Sequence, residues 1–417
     1  MDDDRPVLVI GATGFLGRRV VSGLTADGHR VRCLVRDPRR AADLLADRVE
    51  VVRGDMLAAE TVSAAAQRAR AVIVCVHTLS PQPGRQAGHG FVDVEAAGAG
   101  NIIDACRAKD VSRLLYVTSI GVASDARSSW LRGRARVEEL LFTSGLDVTV
   151  RPGMIVGHGG DGFGMVERGA RRRAAVLLSS PRQRFRTVAV DDLARQLVAL
   201  LGDPRSFGRH FDVGSDDVLT IDEMLDLAAE HLGRPHPAKV HLPRSVIARI
   251  APAIERAARM PPGAVRGFVG EGSDADMIGD TTAIRALLDQ PPWPFREAMA
   301  QALHEGSATT AAPARSLAWT TRRCGCARAV DGCRLRRGTS ASERHRRNDP
   351  ARGTSRCIIV NRRVMTAVRA AQSPILNSAR PAAGPLSGRF FGLRRRRCAS
   401  RQSRNGGCPG SPAGFSW

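Results

Sequence analysis

Three glycines at three-residue steps, Gly11, Gly14 and Gly17, follow directly on the apolar run Val7-Leu-Val-Ile10. The pattern reads as a buried parallel strand, a tight turn and the first turn of a helix. Gly11 lets the chain turn sharply, Gly14 lets a ligand's phosphates approach the backbone, and Gly17 lets the helix pack against the strand. The open N–H groups and partial positive charge of the helix N-terminus then suit a pyrophosphate. Thr13, Phe15 and Leu16 share that turn and are expected around the same ligand. A glycine triplet alone also fits a plain strand–turn–helix. Its place after a strand and the features that follow favour a dinucleotide site.

A second group of polar residues falls where the next strands end. The run Val31–Val35 closes on Arg36-Asp37-Pro38-Arg39-Arg40. At this point of a dinucleotide fold an acidic side chain meets a ribose 2′-hydroxyl, whereas an arginine suits a 2′-phosphate. Arg36, with Arg39 and Arg40 one helical turn on, therefore predicts NADP(H) in preference to NAD(H). The other reading is a solvated turn with Asp37 as a helix cap. Gly54-Asp55-Met56 ends the third run, where Asp55 is expected to receive an adenine amino group and Met56 or Leu57 to lie against the ring. Asp55 also fits the N-cap of the following helix. His77 follows the fourth apolar run and is a pocket-lining candidate.

The elements that must hold these residues are legible in outline. Strands are expected at 6–10, 31–35, 49–52, 71–76, 114–118 and 148–150. Helices are expected between them at 14–26, 57–69, 91–109 and 128–144, with a loop at 80–90. Strands alternating with helices at this rhythm predict an α/β fold with a doubly wound parallel sheet. Beyond it, 157–164 is glycine-rich and expected to be a loop over the substrate end. A strand is expected at 186–190 and a helix at 192–201 with Asp191 or Asp192 as its cap. A further strand is expected at 210–213. Thr220 and Glu223 form a capping-box pattern opening a helix to 232, and further helices are expected at 243–260 and 295–304. Arg171-Arg172-Arg173 reads as a solvated helix end.

Composition divides the 417 residues unevenly. The net charge is +22, but 23 arginines, no lysine and 3 acidic residues lie from Ala308 onward. Residues 1–307 hold 40 basic and 38 acidic residues, so the body is near neutral and its charge gives no argument for nucleic-acid binding. Cys33, Cys75 and Cys106 fall inside expected strands and helices and read as buried reduced thiols. The acidic N-terminus is unlike a secretory signal, and no apolar run is long enough to span a membrane. The expected setting is cytoplasmic.

Several segments together resemble the atypical or extended short-chain dehydrogenases/reductases, in particular the NmrA-like proteins and the nucleotide-binding accessory subunit of respiratory complex I. The matching residues are Gly11-Ala-Thr-Gly14-Phe-Leu-Gly17, Leu34-Val-Arg36-Asp-Pro, Gly54-Asp55, Tyr116-Val-Thr-Ser119 and Arg151-Pro152-Gly153, followed by Val190-Asp191-Asp192 and Phe211-Asp-Val-Gly-Ser. They run from about residue 5 to 305. The resemblance implies an NAD(P)H-binding oxidoreductase of Rossmann type, with Thr118, Pro152 and Gly153 beside the cofactor and Ser119 holding the substrate's oxygen. It also implies a small C-terminal lobe for an unidentified small-molecule substrate.

The same resemblance exposes a departure. Its usual acid–base pair is a tyrosine and, four residues on, a lysine. Trp130 and Arg134 stand at that spacing instead. An indole does not ionise usefully and a guanidinium stays charged. Tyr116 is the only tyrosine, and the only lysines are Lys109 and Lys239. Arg134 is still placed to reach a nicotinamide ribose and Trp130 to cap the nicotinamide pocket. A packed helix with exposed basic residues is the other reading. Two functions follow: an oxidoreductase working without the pair, as in hydride transfer to a flavin or quinone, or a non-catalytic NADP(H) sensor or assembly partner.

The expected organisation is a Rossmann domain at 1–157, the rest of the sheet with a small substrate lobe at 158–307, and an Arg/Cys-rich tail at 308–417. The tail has no helical or strand period, and its cysteines lack zinc-ribbon spacing. It reads either as a disordered arm binding nucleic acid through charge or as out-of-frame text from a GC-rich gene.

Overall fold

The computed structural model describes residues 4–76, 91–258, 260, 262–267, 271–272, 275–288 and 290–311. Strand β1 (Val7–Ile10) is buried at all four positions. Gly11, at φ 91°, turns the chain toward α1 (Phe15–Ala26), whose Leu16, Val20, Val21 and Leu24 form one buried stripe. Strand β2 (Val31–Val35), a 3₁₀ turn at Pro38–Leu44 and β3 (Val49–Arg53) follow. Next come α2 (Ala59–Ala66), β4 (Ala71–Val74), α3 (Phe91–Ala108) and β5 (Leu114–Val117). Helix α4 (Ser129–Ser144) is capped by the Ser128 side chain and ends at Gly145 in the left-handed region. Strand β6 (Asp147–Pro152) ends the first run.

The second part begins with β7 (Met154–Val156), α5 (Asp161–Ala170) and β8 (Ala174–Leu177). Strand β9 (Arg184–Ala189), α6 (Val190–Gly202) and β10 (Arg209–Val213) follow. Then come β11 (Val218–Thr220), α7 (Ile221–His231) and β12 (Ala238–His241). Helices α8 (Arg244–Ala258), α9 (Thr282–Leu287) and α10 (Phe295–Ala311) complete the described chain.

Seven strands form one sheet in the order β10-β6-β5-β4-β1-β2-β3, and every neighbouring pair is parallel. The chain winds outward from β1 through β2 to β3, then restarts beside β1 with β4 and winds the other way. Ligands in open parallel sheets sit in the crevice where that direction reverses. Here it lies beyond the ends of β1 and β4, at Gly11 and Cys75. Successive residues of β1 bury on opposite faces. Val7 and Val9 join α1 and α6 residues such as Val20 and Leu197. Leu8 and Ile10 join Val62, Ile102 and Val137 from α2, α3 and α4. The doubly wound parallel sheet is thus present as expected from the alternation.

The smaller sheet β11-β9-β7 and the pair β12-β8 carry a separate core. Phe163, Val166, Met224, Leu225 and Met299 pack there, and Phe163 meets Phe295 edge-to-face at 6.4 Å. The capping box at Thr220 and Glu223 forms as read. Cys33 and Cys106 are buried free thiols, and burial pushes both up to about 12.

Some local expectations need correction. The glycine-rich stretch does not stay a loop to 164, because α5 starts at Asp161, where Phe163, Val166 and Ala170 supply a buried stripe. Asp191 and Asp192 do not cap α6. Ala189 holds that position and both carboxylates lie in the first turn, where Asp192 accepts the Trp293 backbone N–H at 2.6 Å. The short strands β7, β8, β11 and β12 and helix α9 were not expected. The three arginines at 171–173 are exposed as read. His77, the 80–90 loop and the tail from 312 onward lie outside the described residues.

Candidate functional site

One cavity runs along the C-terminal ends of the central strands. Its wall includes Gly11, Thr13, Gly14, Phe15 and Leu16 from the glycine turn. It includes Arg36, Asp55 and Met56 from the next two strand ends. It also includes Thr118, Ser119, Trp130, Arg134, Pro152 and Gly153. The sequence-predicted residues among those described therefore meet in one place, with one exception. Gly17 lies beneath the turn and not in the wall. A Cβ there would stand 2.1 Å from the Gly11 carbonyl oxygen, so its absence sets how closely α1 approaches β1.

The turn is tight for backbone reasons. A Cβ on Gly11 would meet the Cys75 carbonyl oxygen at 2.8 Å, and the Gly14 N–H donates to the Gly11 carbonyl at 2.9 Å. Gly14 is the N-cap of α1 and has no side chain to close the helix end. That end faces the cavity, and such an uncapped turn fits a pyrophosphate. The ring of Phe15 fills the space above Gly157 and Gly160, where added Cβ atoms would approach it to 2.9 and 2.8 Å.

At the far end of β2 the arginines part company. Arg36 and Arg40 line the cavity, whereas the Arg39 guanidinium turns away onto Asp37 at 3.1 Å. Asp37 also accepts the Arg39 backbone N–H, and Arg39 holds its carboxyl below the usual range. Asp37 as a cap and Arg36 in the wall thus both hold. Asp55 accepts the Leu57 N–H at 3.0 Å, which fixes its carboxylate without capping α2, whose N-cap is Ala58. Met56 is held by α3: Asn101 donates to its carbonyl at 3.0 Å, and a Cβ on Gly98 would collide with its methyl.

The third group lies where β5 meets α4. The Ser119 hydroxyl donates to the Ile120 carbonyl at 3.1 Å. The Thr118 hydroxyl donates to Glu138 at 2.6 Å, and Arg151 grips the same carboxylate through two nitrogens. Trp130 packs among Val122, Leu131, Ala264 and Met260. Arg134 is 2% exposed, as is Glu95 of α3, and the two pair at 3.2 Å. Arg134 also donates to the Val117 carbonyl at 3.2 Å and sits over the Trp130 ring at 4.7 Å. Tyr116 is fully buried on the α3–α4 side of the sheet. Burial, then the Glu95 charge, raises its hydroxyl well above the ordinary value, so it stays protonated and is no acid at neutral pH.

A family model described as NAD(P)H-binding matches residues 11–204. The chain thus carries an NAD(P)H-binding domain over those residues. Among its relatives, the photosystem II assembly factor Ycf39 of Cyanophora paradoxa is 33% identical over 34% of this chain and 43% of its own. The ceramide reductase of Caulobacter vibrioides is 32% identical over 48% of this chain and 61% of its own. The chain thus spans about half the length of these curated relatives. In fold it is similar to the UDP-glucose 4-epimerase of Thermus thermophilus in complex with NAD. The TM-score is 0.55 at 21% identity, covering 72% of this chain and 98% of that one.

The NAD(P)H-binding domain has wall residues that the sequence did not announce. Arg18 and Arg19 follow the glycine motif into the cavity wall, where Arg19 pairs with Glu305 at 2.6 Å. His158 lines it from the loop before α5. Glu95, a lone acid on the apolar side of α3, was the one detectable signal for the buried pair. Among the described residues, no helix is long and apolar enough to cross a membrane.

Proposed function

We propose that this protein is an NADP(H)-dependent oxidoreductase that works without the tyrosine–lysine pair. The observation that carries the reading is the continuous cavity. It starts at the glycine turn, passes Ser119 and Trp130 and continues to Met154, Phe185 and Met277 in the smaller lobe. A site for nucleotide alone has no use for that second space. In this reading the uncapped end of α1 holds the pyrophosphate and Arg36 with Arg40 takes the 2′-phosphate. Asp55 and Met56 hold the adenine. Thr118, Pro152, Gly153 and Arg134 border the nicotinamide end, and Ser119 turns its hydroxyl from Ile120 to the substrate's oxygen. Trp130 closes the pocket against water. The bound nicotinamide supplies a hydride. With Tyr116 buried behind the sheet, the proton comes from solvent, which suits a quinone or flavin acceptor. The division at 157 and 307 is retained as the domain proposal. The three free thiols among the described residues suit a reducing cytoplasm.

A second reading is favoured by the corner itself. Trp130 and Arg134 occupy the acid–base slots, Arg134 is committed to Glu95, and one relative is named an assembly factor. In that reading the protein binds NADP(H) as a sensor or assembly partner without turnover. Nucleic-acid binding would rest on the basic tail alone.

Titration of the full chain with NADPH and NADH by calorimetry, followed by NADPH oxidation at 340 nm with quinone and flavin acceptors, separates these readings. Tighter binding of NADPH and oxidation with an acceptor support the enzyme. Tight binding with no oxidation by any acceptor supports the sensor, and failure to bind either nucleotide overturns both.

A further inference from the structure

The cavity is larger than a dinucleotide site needs. Its volume is about 2290 Å³, against roughly 300–1,000 Å³ for an ordinary ligand pocket. The far walls are distinctive in composition. Five of the nine methionines in the chain line this one cavity. Met56 sits at the adenine end, and Met154, Met165, Met260 and Met277 surround the end in the smaller lobe. Leu178, Phe185, Ile221 and Ile254 add aliphatic and aromatic surface there. Thioether side chains are unbranched and polarisable, so they mould to flexible apolar shapes.

Several polar side chains of the same walls are already engaged, and the Ser179 hydroxyl and His158 Nδ1 are the buried polar groups there with no hydrogen-bond partner among the described residues. The Gln183 amide donates to the Gly272 and Ala275 carbonyls at 2.8 and 2.7 Å. The Ser128 hydroxyl donates to the Gly267 carbonyl at 2.6 Å, and Asp276 pairs with Arg184 at 2.6 Å. Arg127, Arg168 and Arg256 are exposed to solvent. A sugar needs a partner for nearly every hydroxyl it buries, and these walls offer few. An aliphatic chain needs none.

We infer that the far end of the cavity holds a long aliphatic chain, acyl or prenyl, of a substrate whose reducible group lies beside Ser119. This rests on the oxidoreductase reading and narrows its substrate class. The test is equilibrium binding of a dansyl-labelled undecanoic acid to the full chain in saturating NADPH, followed by fluorescence, with dodecanol, geranylgeraniol and UDP-glucose as competitors. Saturable binding at one site, displaced by either alcohol and not by UDP-glucose, is the expected result. Displacement by dodecanol alone assigns an acyl chain, and by geranylgeraniol alone a prenyl chain.

Met277→Glu and Met165→Glu are each expected to weaken the probe at least tenfold while NADPH affinity changes less than twofold. Met277 also holds β9 through its backbone. Met165 is 38% exposed, so its variant folds whatever happens to the other. Wild-type protein that binds NADPH but not the probe overturns the inference, as does displacement by UDP-glucose or full probe affinity in the Met165 variant. Wild-type protein that fails to bind NADPH would instead overturn the oxidoreductase reading.

Discussion

The glycine turn and the Trp130–Arg134 corner face the same cavity but are made of different material. The turn works through backbone: an uncapped helix end, a left-handed Gly11, and glycines whose side chains would strike carbonyl oxygens 2.1 to 3.1 Å away. The corner works through side chains, and its wall is closed by an indole and by a guanidinium paired with Glu95. Backbone geometry admits few substitutions, because any Cβ disrupts it. Side-chain chemistry can be exchanged while the fold persists, provided the new groups are satisfied in place. The corner shows how: an arginine buried to 2% exposure is tolerable because Glu95 and the Val117 carbonyl meet it there. The corner's tolerance therefore depends on one carboxylate, and the turn's on having no side chains.

The largest effect should come from removing that carboxylate. Glu95→Leu leaves the Arg134 guanidinium buried with no counter-charge, which costs about 3–5 kcal/mol. Urea denaturation of the full chain would measure it. A loss below about 1 kcal/mol would show that water reaches the pair, and would remove the contrast between the two regions. Gly17→Val comes next. Its Cβ would overlap the Gly11 carbonyl, so α1 must move off β1 at a cost of about 1–3 kcal/mol. NADPH affinity should fall more than tenfold, because the open helix end moves with it. A variant that folds and binds like the parent would mean that the turn's geometry is not what holds the nucleotide.

The same contrast explains what the sequence disclosed. Gly11, Gly14 and Gly17 announce a backbone shape directly, and the four-residue apolar runs between helical stretches announce the parallel sheet. Arg36 and Asp55 were readable because they stand at strand ends, a fixed distance past an apolar run. The corner was half legible: the absence of tyrosine and lysine could be read, but not the Arg134–Glu95 pair, whose members lie 39 residues apart and meet only when α3 packs on α4. The smaller lobe was least legible. Strands β7, β8, β11 and β12 have three or four residues each, too short to show a period of two. The methionines of its cavity wall are scattered from Met154 to Met277, and nothing local distinguishes them from core residues such as Met224.

A smaller effect separates the two nucleotides within the turn region. Arg36→Ala should weaken NADPH about tenfold, some 1.4 kcal/mol, and leave NADH within twofold, because a guanidinium at this strand end suits the 2′-phosphate that only NADPH carries. Arg40→Ala should do the same less strongly, and Arg39→Ala should do nothing, since Arg39 turns to Asp37. Calorimetry with both nucleotides would check the series. Equal losses for NADPH and NADH in Arg36→Ala would make the arginine a general wall residue, and the preference for NADP(H) would fall.

The smallest effect concerns the lone tyrosine, and it bears on whether the corner retains acid–base chemistry. Tyr116 directly precedes Val117, which lines the cavity, but its side chain points to the opposite layer. Burial and the Glu95 charge raise its hydroxyl well above its ordinary value of 10.0. The neutral form therefore persists through the physiological range, and the hydroxyl neither gives up nor takes a proton there. Tyr116→Phe should cost about 1 kcal/mol of stability or less. NADPH affinity should stay the same, and so should the rate and pH profile of any NADPH oxidation the protein performs. A tenfold fall in that rate, or loss of one limb of the pH profile, would make Tyr116 the proton donor. The corner would then be a rearranged acid–base site whose tyrosine had moved to the strand.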